Sequence, residues 1–359
     1  MVYIYRPVVS GCGTPTEKLS EFVDHYLQPM MSNIPSYIQD TADFIRRIRG
    51  YTGDTRDTIL VTIDVVALYP SIPISDGIDV VKRFLDTFPT DCPLDRDTLC
   101  NAISLVLENN ICKFGNDIFL QKSGTAIGTK LAPVFANIFM WHIENTIQER
   151  SACNPELWTH FIDDIFMLWQ DGEEALLEFL AMINNIHPSI MFTSDWSRYR
   201  VNFLDVTVSI ENGQLVTDVY SKPTDTHQYL LSSSCHPRHC KNSLPYSQAL
   251  RMKRICSDSG TMETRFLELT EYFVGRGYNR MSVTAQINKA RLIDRNEALL
   301  PKVKNATKKT PLVVTYNPTL ANIGHILYRH FSLISGSVRL SKEIPPPVVA
   351  LDHVTLQML

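Results

Sequence analysis

The chain is 359 residues long, 44% hydrophobic and 20% charged, with a formal net charge of −4 at neutral pH. That is the composition of a globular protein with a core large enough for two or three subdomains, and it excludes a collagenous or low-complexity chain. No run of eighteen apolar residues occurs, the start MVYIYRPVVSG lacks a signal-peptide layout, and the eight scattered cysteines read as reduced thiols of an intracellular protein.

Residues 1–13, MVYIYRPVVSGCG, read as a short strand ending in a glycine turn. Residues 17–31 and 35–49 have helical periodicity, with Phe22, Tyr26, Phe44, Ile45 and Ile48 at core positions. In ILVTIDVVALYPSIP, residues 59–63 read as a central strand with Asp64 at its end, and Tyr69 stands five residues further on. Residues 76–87 and 95–109 read as helices, and 113–121 as a hairpin turning at Gly115, Asn116 and Asp117. A glycine-rich loop at 123–129 then opens a helix over 130–149, with Leu131, Val134, Ile138 and Trp141 at helical spacing. Gly124 and Gly128 leave room for close approach by a base pair or sugar. Exposed N–H groups at a helix start favour phosphate, and Lys130 adds a charge contact.

WTHFIDDIFMLW (158–169) reads as two short strands with Asp163 and Asp164 in the tight turn between them. Alone, an Asp-Asp dipeptide is ordinarily a solvated turn, and an Asp ending a strand is ordinarily a helix cap. Here both acidic sites sit in apolar runs where a buried strand should keep no carboxylate. Pairing the strands brings Asp64, Asp163 and Asp164 to one sheet edge. Like charges that close are costly unless cations neutralise them, and hard oxygen ligands suit Mg²⁺, with Mn²⁺ as an alternative. Two such ions, ~3.5–4 Å apart, clamp the attacking and leaving oxygens of a phosphoryl transfer.

Further on, 173–187 reads as an amphipathic helix, 191–194 as a strand, and 201–221 as a hairpin turning at Asn212-Gly213. CHPRHC (235–240) holds two Cys and two His but has no second ligand cluster to complete a zinc site. From 241 the chain reads as all-helical and basic. Residues 1–235 carry 16 basic against 30 acidic side chains, whereas 236–310 carry 15 against 6. Such a segment, with Lys241, Arg251, Lys253 and Arg254 near its start and tyrosines interspersed, suits contact with the phosphates of a duplex.

FIDD resembles the [FY]-x-D-D box of reverse transcriptases, and Asp64 with Tyr69 resembles their first catalytic box. GTAIGTKLAPVFANIFM (124–140) resembles the box that positions template and nucleotide. Together with RPVVSGCGTPTEKLSEFVDHYLQPMM, DVVALYPSIP, NFLD, YSKPTDTHQYL, HPRHCKNSLPYSQALRMKRICSD and RGY, these stretches make the chain similar to a Penelope-like retroelement polyprotein, from about residue 5 to 345. The resemblance implies an α+β right-hand fold: fingers and palm with an antiparallel sheet and packed helices over 1–221, an all-helical thumb over 222–300, and a linker with a small C-terminal segment over 301–359. It implies an RNA-directed DNA polymerase that binds RNA template, DNA primer and dNTPs, with no membrane partner and the nucleus as its compartment.

The residue roles implied by the resemblance follow box by box. Asp64 and Asp163 hold both metals and Asp164 assists. Arg6 contacts the incoming triphosphate, and a guanidinium fork matches that geometry. Tyr69 blocks a ribose 2′-hydroxyl, which disfavours the nearest alternative enzyme, an RNA-dependent RNA polymerase. Phe203 and Leu204 grip the primer end. The departures are a Ser at 123 in place of the usual Gln, and no Lys between 170 and 221 to protonate pyrophosphate, for which Arg198 or Arg200 is the substitute. Most relatives carry a C-terminal GIY-YIG nuclease, and none is evident here, so the endonuclease is expected to be separate or missing. The competing reading from another class is a truncated, non-catalytic nucleic-acid-binding remnant.

Overall fold

The computed structural model describes residues 10–301 and 323–337, so Arg6, the Arg-Pro box and most of the segment 301–359 lie outside the described residues. The chain divides into two compact units, 1–220 and 221–359. The first unit opens with α1 (Glu17–Leu27), which passes into a 3₁₀ turn over Gln28–Asn33. Pro29 has no N–H to continue an α-helix, which is why the helical periodicity of 17–31 yields two elements rather than one. The periodicity over 35–49 likewise overreaches at its start, because α2 spans only Thr41–Gly50. Asp40 caps it by accepting the Asp43 N–H at 2.8 Å. The residues before it run extended instead: the Ile38 N–H bonds the His160 carbonyl at 3.0 Å and the His160 N–H bonds the Ser36 carbonyl at 2.8 Å.

β1 (Ile59–Val65) leads into α3 (Leu68–Ser71), α4 (Ile74–Thr87) and α5 (Arg96–Glu108). The hairpin β2 (Ile111–Phe114) and β3 (Asp117–Leu120) turns at Gly115-Asn116, and its Phe114 is 81% exposed. After α6 (Ala132–Arg150) come β4 (Leu157–Phe161), β5 (Asp164–Trp169), α7 (Gly172–Ile183) and β6 (Phe192–Ser197). The central sheet is antiparallel throughout, in the order β4-β5-β1-β6, so the two strands that carry Asp64 and Asp164 are the inner ones.

Alternation along the strands gives the sheet two distinct faces. Ile59, Val61, Ile63, Ile165, Met167 and Trp169 join one buried cluster with Val80 and Phe84 of α4, Phe135 and Phe139 of α6, and Leu176 and Phe179 of α7. Asp64, Asp164 and Thr193 share the other face, with Thr62, Phe166 and Asp195 in the next register row. That face is roofed beyond the aspartates by Phe44 of α2 and by Phe203. The Phe44 ring centroid lies 5.0 Å from Phe166 and 4.6 Å from Phe203.

Residues 200–219 form a three-stranded meander of β7 (Arg200–Phe203), β8 (Val206–Glu211) and β9 (Gln214–Val219), one strand more than the sequence pattern suggested. The Asn212-Gly213 turn has φ of 52° and 73°, the pair of positive values a type I′ turn requires. The second unit is helical: α8 (Arg238–Ile255), α9 (Ser259–Gly275), α10 (Arg280–Arg291), α11 (Arg295–Leu299) and α12 (Ile323–Ser335). Asp258, Asn279 and Asp294 cap three of these helices by accepting backbone N–H bonds, and α8 packs on α9, α10 and α11.

Candidate active site

Asp64 lies near the end of β1, where its cross-strand partners are Asp164 of β5 and Thr193 of β6. Directly opposed residues on adjacent antiparallel strands project to the same face, with Cβ atoms roughly 4.5–5.5 Å apart. The two-residue turn between β4 and β5 is made of Ile162 and Asp163, so Asp164 belongs to the strand and only Asp163 to the turn. The Val65 N–H donates to the Asp163 carbonyl at 3.0 Å, which ties the turn back to the strand that carries Asp64.

Backbone strain concentrates here. Ile162 has φ of 56°, a left-handed conformation that costs a branched residue about 1–2 kcal/mol. The β7–β8 turn repeats the device: Phe161-Ile162-Asp163-Asp164 and Phe203-Leu204-Asp205-Val206 both place an aliphatic residue at positive φ, with Leu204 at 54°. Ala67, three residues after Asp64, is a third case at 51°. Among the described residues five non-glycine positions have positive φ, and these three border the acidic strands or the turn beside them. Strain retained in such a cluster points to function.

A cleft of about 230 Å³ runs over this face, lined by Asp64, Asp164, Thr193, Asp195, Asn202 and Leu204 among others, with Phe203 also contributing. Phe203 is otherwise a core residue, 3% exposed and packed at a tilt against Phe44 and Phe166, while Leu204 is half-buried at the turn. Among the described residues no three His, Cys, Asp or Glu side chains converge into a closed metal cage. Of the expected trio, Asp64 and Asp164 are opposed on the cleft, and Asp163 occupies the adjacent turn position outside its lining. That donor set fits Mg²⁺, which retains several waters and takes one or two carboxylates together with substrate phosphates.

Tyr69, Gly124, Gly128 and Lys130 lie outside the cleft lining. Tyr69 sits in α3, half-buried against the core. Gly124 is buried with φ of 69°, and its bare α-carbon is taken up by the backbone of Pro70. Gly128 accepts the Gly11 N–H at 3.2 Å, and Ser10 bridges to it in parallel fashion. Lys130 is exposed, and it pulls on the Asp24 carboxyl, which burial pushes above its usual range.

Two features escaped the sequence reading. Asp195 places a further carboxylate along the same cleft, one register row from Asp64. Beneath β4, a buried polar cluster joins three separate segments. Glu144 of α6 accepts from Ser36 Oγ at 2.5 Å and from Trp158 Nε1 at 2.7 Å, and it lies 2.8 Å from His160 Nδ1. The available signal was a histidine inside the apolar run that precedes the Asp pair, since a fully buried histidine needs partners.

In the helical unit, Lys241 donates to the carbonyls of Ser232 and Ser234 at 2.7 and 2.8 Å, and Arg254 to that of Ala298 at 2.8 Å. Arg280 and Arg291 of α10 form two-pronged pairs with Glu271 and Glu263 of α9. Much of the basic excess thus holds the helices together. The Arg276–Asn279 turn between α9 and α10 uses Gly277 at φ of 82°, and the Tyr229 carbonyl accepts from Arg276 Nε at 2.6 Å.

An antiparallel sheet with opposed aspartates on its inner strands, flanked by helices and followed by a helical unit, is the palm-and-thumb fold of nucleic-acid polymerases. The family described as reverse transcriptase (RNA-dependent DNA polymerase) matches residues 4–192, more than half the sequence, and the chain belongs to that family. An animal helix-turn-helix domain matches residues 228–288. Telomerase from Candida albicans, in complex with a TWJ fragment of telomeric RNA, superposes with a TM-score of 0.52 at 9% identity, over 76% of this chain and 47% of that one. Apo telomerase from Candida tropicalis gives 0.47 at 11% identity, over 81% and 56%. The BmCPV RNA-dependent RNA polymerase at its elongation state gives 0.49 at 12%, over 75% and 25%. The chain spans about half the length of the telomerases it matches, and no curated protein matches it. Among the described residues, no helix is long and apolar enough to cross a membrane.

Proposed function

We propose that the chain extends a DNA 3′ end on an RNA template, as the reverse transcriptase of a Penelope-like retroelement acting in the nucleus. The observation that carries this reading is the opposition of Asp64 and Asp164 beside the strained Asp163 turn. Asp64, Asp163 and Asp164 would hold two Mg²⁺ ions. When bound there, Mg²⁺ lowers the pKa of the primer 3′-hydroxyl and offsets charge on the leaving pyrophosphate. The protein's own work is placement. Leu204 at the β7–β8 turn steadies the primer end from the cleft, and Phe203 anchors that turn in the core. Arg6 and Lys130 meet the triphosphate, and Tyr69 excludes a ribose hydroxyl.

In the helical unit, Arg251 and Lys253 meet duplex phosphates, on a face that Lys241 and Arg254 shape from within. The helix-turn-helix match, over residues 228–288, covers α8, α9 and most of α10 and supports the same role for that segment. Purified chain is tested on poly(rA)/oligo(dT) with Mg²⁺ or Mn²⁺. Incorporation of dTMP that Asp163→Asn abolishes is expected. A wild-type chain that binds the primer–template yet extends it with neither ion overturns the reading in favour of a non-catalytic binding protein.

A further inference from the structure

Gly124 is placed where a side chain has no room. Its φ is 69°, and a Cβ built there would stand 2.4 Å from Pro70 Cα and 2.6 Å from the Pro70 carbonyl oxygen. These are main-chain atoms, so no rotamer change relieves the clash and the backbone itself would have to move. The next residue closes a second contact, the Thr125 N–H donating to the Tyr69 carbonyl at 2.8 Å. Two successive residues of the glycine loop thus grip two successive residues of α3.

The gripped segment is a single turn whose one fully buried side chain is Leu68. α3 is only four residues long, and its N-cap is Ala67 at φ of 51°. Thr125 is 1% exposed and its hydroxyl has no hydrogen-bond partner. The contact to Tyr69 is made by its main chain and not by its side chain. The Tyr69 ring reaches the core only partly buried.

We propose that Gly124 is a positioning residue for sugar selection. By letting the loop close onto Pro70 and the Tyr69 carbonyl, it sets how near the Tyr69 ring stands to C2′ of the incoming nucleotide. The inference rests on the polymerase reading and on Tyr69 as the sugar gate. It assigns Gly124 a role exerted from behind the gate, because the space a Cβ would need is filled by Pro70 and not by nucleotide.

The test is the ratio of kcat/KM for a dNTP over the matching rNTP. Gly124→Ala is expected to lower it about tenfold, the low end of what an imperfectly shaped pocket loses in discrimination. In a Tyr69→Ala background, Gly124→Ala is expected to leave the ratio unchanged, since the gate it positions is gone. An equal fall in both backgrounds would mean that position 124 meets the nucleotide itself, and an unchanged ratio in the single variant would mean that it does not position the gate. Either result overturns the inference. If Gly124→Ala does not fold, Pro70→Gly decides the matter, because it keeps the main-chain atoms that Gly124 meets but frees the φ of the gripped segment. A ratio that falls with Tyr69 present and not in the Tyr69→Ala background supports the inference, and an unchanged ratio or an equal fall in both overturns it. Failure of the wild type to incorporate any nucleotide overturns the polymerase reading, whereas a wild-type ratio that depends on Tyr69 but not on Gly124 or Pro70 overturns this inference alone.

Discussion

Asp64 stands directly opposite Asp164 on adjacent antiparallel strands, and both line the cleft that Leu204 borders. Like charges in directly opposed positions destabilise a strand pair, by roughly 0.2–1 kcal/mol where solvent screens them. Divalent cation should therefore stabilise the fold as well as support synthesis. A rise in Tm on adding Mg²⁺ is expected for the wild type and not for Asp64→Asn, whose Tm in metal-free buffer should exceed that of the wild type. Equal responses of the two proteins in a thermal melt would remove Asp64 from any metal site.

Asp163→Asn keeps the shape of the turn while exchanging a carboxylate for a neutral amide. Primer extension should fall by on the order of 10³-fold, as when one electrostatic contact to a transition state is deleted. Primer–template affinity should stay within about twofold. Gel-shift titration beside the extension assay separates the two, and wild-type-like extension would exclude Asp163.

Tyr69→Val should admit ribonucleotides while keeping dNTP incorporation within about tenfold. The ratio of kcat/KM for dNTP over rNTP is the measurement. An unchanged ratio in an active variant would reduce Tyr69 to the core residue that its half-buried ring also makes it.

The neighbours Phe203 and Leu204 should separate stability from primer handling. Phe203→Ala removes a buried ring that packs on Phe44 and Phe166 and should cost about 3–5 kcal/mol in denaturant unfolding. Leu204→Gly relieves a positive φ, so stability should change by less than about 1 kcal/mol while KM for primer rises. A Leu204→Gly variant with unaltered primer KM would dissociate the turn from the primer end.

Salt should weaken primer–template binding linearly on logarithmic axes, with a slope set by the phosphates neutralised. Arg251→Gln with Lys253→Gln should lower that slope by about 2, one for each lost contact. Lys241→Gln should instead lower Tm, because its ammonium holds the Ser232 and Ser234 carbonyls. A slope that ignores the first pair would place the duplex elsewhere.

Much of the site was legible in the linear sequence because its signals are local. An acid inside a β-branched run, an Asp pair between two apolar strands, and Asn212-Gly213 between alternating segments each state a backbone preference within a few residues. What the sequence by itself determined was therefore the strands, their turns and the acidic residues they carry. Only the tertiary structure decided how these combine. Register put Asp164, and not both aspartates, opposite Asp64, because hydrogen bonding between strands fixes which side chains share a face. Residues 36–38 left their helical periodicity to pair with β4, since an edge strand's unmet backbone groups outweigh local propensity. Glu144, Ser36 and His160 lie up to 124 positions apart and meet only in the folded chain. The grip of Gly124 on Pro70 is of the same kind: a glycine announces that space is needed, and only the fold says what fills it.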